Sequence, residues 1–172
     1  MLASQELSNL QKERELMPLL SGYNPFANQD IFASRAFHEV LKELSTQGGD
    51  GEHAGISGAP FKRMVDGWLM AVALGAKMDL PPLDLASSDS VKFITGSVLQ
   101  KDLGAIEFLM SIAVAQSGNA FIVEDSKGMM KIAQGFGELG FSELKEMATS
   151  GFLGATSNLA RSLVKKLDSG LH

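Results

Sequence analysis

Apolar positions recur at helical spacing along most of this chain. In "PFKRMVDGWLMAVALGAKM", Pro60 to Met78, the residues Phe61, Met64, Val65, Trp68 and Val72 fall on one stripe. That is the i, i+3, i+4, i+7 pattern of an amphipathic helix. Leu69, Met70, Ala71, Ala73 and Leu74 widen the stripe until the second half is apolar nearly all round. The spacing predicts a helix over 60–76, buried on most sides, with Phe61, Met64 and Trp68 at its heart. It does not predict a membrane span. Only ten residues, Gly67 to Ala76, pass without a charge, whereas a span needs about 20 apolar residues.

The same reading predicts helices elsewhere. Leucines at 2, 7, 10, 16, 19 and 20 mark one that ends near Pro18, because proline disfavours helical geometry in the residue before it. "SGYNPFANQD" is a turn-rich connection, and Asn28 or Asp30 caps a helix with the stripe Phe32, Ala36, Phe37, Val40, Leu41 and Leu44. Val91, Ile94, Val98 and Leu99 suggest a short helix, and Asp102 to Gln116 a longer one. "NAFIVED" reads as a short strand without a visible partner. Ser126 starts a helix through about Phe136, Ser142 starts another, and a last one runs from about Ala155 to Leu167 with Leu159, Leu163, Val164 and Leu167 in line. Glycines 137, 140 and 151 are read as ending short helices. Together these predict an all-α single-domain bundle of seven or eight helices over 1–172, with residues 1–28 peripheral. A glycine-rich loop, near 46–59, interrupts it, with five glycines between Gly48 and Gly58.

Composition narrows the function classes. A chain of 172 residues with 45% hydrophobic and 20% charged residues is globular and large enough to bury a core. A net charge of −5 argues against a generic nucleic-acid coat. The absence of cysteine removes disulfides, zinc–thiolate sites and thiol catalysis. The N-terminus has scattered charges and no apolar signal-peptide core, so a cytoplasmic location is expected.

Catalytic chemistry finds little support. "GGDGEHAG" lacks the lysine that would follow a phosphate loop and the strand that would precede it. His53 beside Glu52 is an acid–base pair in principle, but a glycine-rich loop does not preposition it. In "FHEVLKE" the second histidine of a zinc-protease helix is replaced by Lys42. Glu124 and Asp125 precede Ser126 as helix-start charges rather than metal ligands. No catalytic residue, cofactor or metal is expected. The chemistry-bearing candidates are instead cations: Lys62 and Arg63 before the Trp68 helix, and Arg161, Lys165 and Lys166 in the last helix, where Arg161 and Lys165 share a face. They are candidate contacts for a partner or for DNA phosphates.

Two stretches, "PFKRMVDGWLMAVALGAKM" and "FIVEDSKGMMKIAQGFGELGFSELKEMAT", resemble small helical accessory proteins encoded with bacterial DNA-phosphorothioation and related anti-phage defence systems. The resemblance covers residues 60 to about 150, rests on packing residues and transfers no catalytic residue. It implies a subunit that acts beside a nuclease, an ATPase or a DNA-modifying enzyme and reaches DNA through that complex. The expected function is therefore a non-catalytic interaction subunit, in which a homo-oligomer is also compatible. The alternative is a helical DNA-binding module using the basic C-terminal helix. A hydrolase using Glu52 and His53 comes last.

Overall fold

Two short strands stand where helices were expected. In the computed structural model, which describes residues 23–46, 59–85, 89–151 and 153–169, the order is β1 (Asp30–Ser34), α1 (Arg35–Glu43), α2 (Met64–Ala76), β2 (Ser90–Thr95), α3 (Leu103–Ser117), α4 (Ser126–Thr149) and α5 (Ala155–Ser169). Among the described residues the expected all-α bundle of seven or eight helices is thus corrected to five α-helices and a two-stranded antiparallel sheet. The helix expected at Leu2–Leu20 and the body of the glycine-rich loop, including Glu52 and His53, lie outside the described residues.

β1 takes residues that the Phe32 stripe predicts as the start of a helix. Ile31 and Ala33 point into the core with only 0% and 1% of their surface exposed, the period-2 signature of a strand. The helix begins three residues later than the Phe32 stripe implied, because Ser34 caps it: its hydroxyl accepts the Phe37 N–H at 3.2 Å. β2 pairs with β1 from Asp30↔Thr95 to Ser34↔Ser90, and the register shifts between Ile31 and Phe32. That shift leaves Phe93 without an opposite residue, as in a β-bulge. The Phe93 ring sits 6.4 Å from that of Trp68 and 6.1 Å from that of His38. A 3₁₀ turn, Gly96–Leu99, follows directly, so the helix expected through Val91–Leu99 is a strand and a turn. The expected strand at "NAFIVED" is likewise a 3₁₀ turn, Ala120–Glu124.

The largest correction concerns α4. It is one helix of 24 residues rather than two, started by the Asp125 carboxylate, which accepts the Gly128 N–H at 2.8 Å. Gly137 and Gly140 lie in its interior and end nothing. Each instead admits a neighbour too close for a side chain. A Cβ on Gly137 would lie 2.9 Å from Trp68 Nε1, and one on Gly140 would lie 2.6 Å from the Gly75 nitrogen. Gly135 is buried beneath Pro82 and Leu83, and its carbonyl accepts the Leu83 N–H at 3.2 Å. Of the three glycines read as stops, Gly151 alone lies beyond a helix end, with φ at +140°.

α2 and α4 make the most extensive contact in the fold. Around them one hydrophobic cluster gathers Phe26, Ile31, Phe37, Trp68, Leu109 and Leu144, all with 0% exposure. Phe37 stacks on Phe141 at 4.8 Å between ring centroids. α3 starts on the Asp102 carboxylate, which accepts the Ala105 N–H, and ends at Gly118 in the left-handed region, φ +64°. The expected helices over 60–76, 102–116 and 155–167 are present, within a few residues at each end.

α4 also closes the free edge of the sheet. The outward-facing N–H groups of Phe32 and Ser34 donate to Gln134 Oε1 and Glu138 Oε1, both at 2.6 Å. The repeat lengths match: two residues of strand advance about 6.6 Å and four residues of helix about 6 Å. Helix side chains here take the place of a third strand.

Candidate functional site

The five cations singled out from the sequence separate into two groups at opposite ends of α2. Lys62 and Arg63 precede its first turn, whereas α5 meets its last. The helical rise puts these ends about 20 Å apart. They do not form one surface.

Arg63 is committed to the fold. Its guanidinium bonds both oxygens of Asp66, with Nε at 3.0 and 3.2 Å, and reaches Asp102 Oδ2 at 3.4 Å. The Asp66 carboxylate also accepts the Arg63 backbone N–H at 3.0 Å, in the manner of a capping box. Because Asp102 caps α3, Arg63 links the first turns of two helices. The hydrogen bond to Asp66, partly opposed by burial, raises the guanidinium pKa further above its already high ordinary value. Lys62 is exposed, and its carbonyl accepts the Thr46 hydroxyl at 3.0 Å. That bond belongs to a clamp that draws the two ends of the glycine-rich stretch together. Thr46 N–H donates to the Phe61 carbonyl at 3.0 Å, and Phe61 N–H to that of Leu44 at 3.1 Å.

The α5 group divides again. Lys166 leans back onto α4 and pairs with Glu143 at 2.6 Å. Arg161 and Lys165 are exposed on the outer face, and among the described residues neither has an ion-pair partner. Beside Arg161 lies Val164, 57% exposed, and one turn on from Val164 is Leu167, 67% exposed. The sequence reads both of these apolar residues as in line with Leu159 and Leu163. Leu159 is buried and Leu163 is half-buried, but Val164 and Leu167 face out. The line is wider than the surface available to cover it.

α5 is anchored chiefly at its start. Asn158 is buried, and its side-chain amide donates to the Ala148 carbonyl at 3.2 Å and the Leu153 carbonyl at 2.8 Å, closing the corner between α4 and α5. Farther along, Leu163 and Leu167 form one wall of a cavity of about 330 Å³, whose other wall is Ala73, Leu74 and Met78 of α2 and its exit. Lys77, Lys166 and Glu143 complete its lining. Lys77 is exposed and, like Arg161 and Lys165, has no ion-pair partner among the described residues. Sequence reasoning missed Lys77, although it is the charge that ends the longest apolar run.

Other chemistry-bearing side chains do not converge. His38 Nδ1 lies 3.9 Å from Glu39 Oε1, beyond hydrogen-bond reach. Among the described residues no three His, Asp or Glu side chains gather as metal ligands. No described helix is long and apolar enough to cross a membrane. Compared with protein-family models, with curated proteins and with solved structures, the chain matches none.

Proposed function

We propose that this chain is a non-catalytic interaction subunit of a multi-protein assembly, and that α5 is the element it offers. One observation carries the reading: Val164 and Leu167 stand exposed one turn apart on α5, with the unpaired cation Arg161 beside Val164. A single exposed apolar residue is ordinary, and Phe121, 75% exposed on its 3₁₀ turn, is such a case. Two such residues one turn apart, continuous with an apolar cavity, form a strip that a partner would cover. The resemblance of residues 60 to about 150 suggests the setting, a cytoplasmic anti-phage assembly with a nuclease, an ATPase or a DNA-modifying enzyme.

The DNA-binding reading draws support from the same two cations, since unpaired Arg161 and Lys165 are available to phosphates. Weighing against it, Lys166 is neutralised by Glu143, and the carboxylate of Asp168 lines the same patch as the remaining pair. The chain as a whole carries −5.

Co-purification from the native host with the full chain as bait tests the proposal. Val164→Asp with Leu167→Asp should keep the parent's helicity, because both sites are exposed, and should lose the co-eluting chains. Retention of the same chains would overturn it. In a parallel salt titration, duplex DNA should bind no more tightly than the ~10⁻⁴–10⁻⁶ M of non-specific contact. Submicromolar binding abolished by Arg161→Ala, Lys165→Ala and Lys166→Ala together would favour the DNA-binding module instead.

A further inference from the structure

The strip on α5 has a charge pattern as well as an apolar one. Along the helix, Leu163, Leu167, Ala160 and Val164 occupy successive angular positions over roughly 100°, the width of the apolar face of one amphipathic helix. Leu74 and Met78 extend this surface on the α2 side through the 330 Å³ cavity. Cations border it on both flanks: Lys77 beyond the α2 wall, and Arg161 and Lys165 beyond Val164. The carboxylates that line it are Glu143, already taken by Lys166, and Asp168, which stands next to Arg161 on the α5 border. Among the residues that line the strip four cations therefore stand against two carboxylates, one pair of them joined, on a chain whose net charge is negative.

We infer that this strip takes an acidic amphipathic helix from a partner protein, an inference that rests on the interaction reading above. Apolar side chains of the incoming helix at i, i+3, i+4 and i+7 fill the cavity between Leu74, Met78 and Leu167. Glu or Asp residues flanking that stripe meet Lys77 on one side and Arg161 and Lys165 on the other. A basic helix of the same shape meets like charges on both flanks and is rejected, which is how charge sets partner choice on such surfaces. Nucleic acid is the other polyanion the cations would attract, but it has no apolar stripe to place over Val164 and Leu167.

The test uses the full isotope-labelled chain and three helix-stapled peptides of about 18 residues, long enough for five turns. They share one leucine stripe and differ only in having Glu, Gln or Lys on both flanks. Binding is read as chemical-shift changes at Val164, Leu167 and Met78. The expected order is Glu, then Gln, then Lys, with about tenfold between the extremes, as three exposed ion pairs of ordinary size would give. The difference should shrink in about 0.5 M NaCl, where screening is nearly complete. Lys77→Ala with Arg161→Ala and Lys165→Ala should remove the preference for Glu while leaving the Gln peptide unchanged.

Several results would overturn the inference. Affinity independent of flank charge, or shifts confined to other surfaces, would remove the acidic helix. A concentration-dependent dimer that Leu167→Asp abolishes would put a second copy of the chain on the strip. Shifts at Val164 and Leu167 caused in the free full chain by Leu7→Asp with Leu10→Asp would put the chain's own N-terminal leucines there. If the peptides fail while Val164→Asp with Leu167→Asp still strips the native partners, the interaction reading stands and the acidic helix falls. If that variant keeps its partners, both fall.

Discussion

Gly75 and Gly140 face each other across the α2–α4 crossing. A Cβ on Gly75 would lie 3.0 Å from the Gly140 nitrogen, and one on Gly140 would lie 2.6 Å from that of Gly75. The obstructing atoms are backbone, so no side-chain rotation relieves them. In a helix interior Gly→Ala ordinarily gains about 1 kcal/mol, whereas forcing extra volume into a packed site costs about 1–3 kcal/mol or more. Here the clash wins. Gly140→Ala should destabilise by at least about 1–2 kcal/mol net of propensity in urea titrations. Gly104→Ala is the control: it is exposed on α3 with its nearest neighbour 4.0 Å away, and should be neutral or stabilising by up to about 1 kcal/mol. Equal effects at both sites would refute a steric cause.

The edge of β1 gives a second expectation. Glu138→Ala leaves the Ser34 N–H without its acceptor, and Gln134→Ala does the same to Phe32. An amide stranded at a partly buried edge costs about 1–3 kcal/mol. Glu138→Gln retains an acceptor oxygen and should cost less than Glu138→Ala. Equal melting points for the two would show that the carboxylate does not hold the strand.

These two features also mark where the sequence was legible and where it was not. α2, α3 and α5 were readable because each carries its apolar stripe in consecutive turns, as Leu103, Ile106 and Met110 do in α3. α4 was divided in two because glycine is read as a breaker from local cost alone. The compensating contact at Gly140 comes from Ala71 and Gly75, some seventy residues earlier. The strands were hidden by similar non-locality. Phe32 and Phe37 fit a helical stripe on paper, and the pairing that makes Asp30–Ser34 a strand is with residues 90–95. The bulge at Phe93 also breaks the alternation that would have flagged β2. At the site, the cations were visible by type, but only geometry distinguishes Arg63 and Lys166, tied to carboxylates, from Arg161 and Lys165.

Trp68 has no exposed surface, and its Nε1–H has no hydrogen-bond partner among the described residues. The ring is therefore held by packing, against Phe93 and the backbone around Gly137. Trp68→Ala should cost about 3–5 kcal/mol, typical of emptying a large aromatic site. Trp68→Phe loses volume but also removes a buried donor whose isolation costs about 1–3 kcal/mol. Its penalty should be clearly smaller. A Phe variant as unstable as the Ala variant would mean that the indole N–H is satisfied after all.

His38 makes stability depend on pH. Burial, and then the nearby Lys42, lower its pKa from the ordinary 6.5, with Glu39 opposing them in part. Above about pH 6.5 the imidazole is neutral in both folded and unfolded chains and contributes no slope. Below it the unfolded chain takes up the proton first, so the folded state loses stability as pH falls toward the lowered folded value. Melting temperatures should drop as the pH falls below about 6.5, and His38→Gln should flatten that segment of the curve. An unchanged slope in the variant would assign it to another group.

α5 is held to the rest of the molecule mainly by its first turns. Asn158 and Leu159 are its buried residues, and beyond Leu163 its attachment narrows to half-buried contacts and the Lys166–Glu143 pair. A helix fastened in this way opens without disturbing the α2–α4 crossing, so its amides should exchange with deuterium long before those of α4. A protein that covers the strip would then do more than bind a ready surface. By mass action it would close the second half of α5, and its arrival would register as slowed exchange from Leu163 to Ser169. The helix that recruits the partner would itself be completed by it.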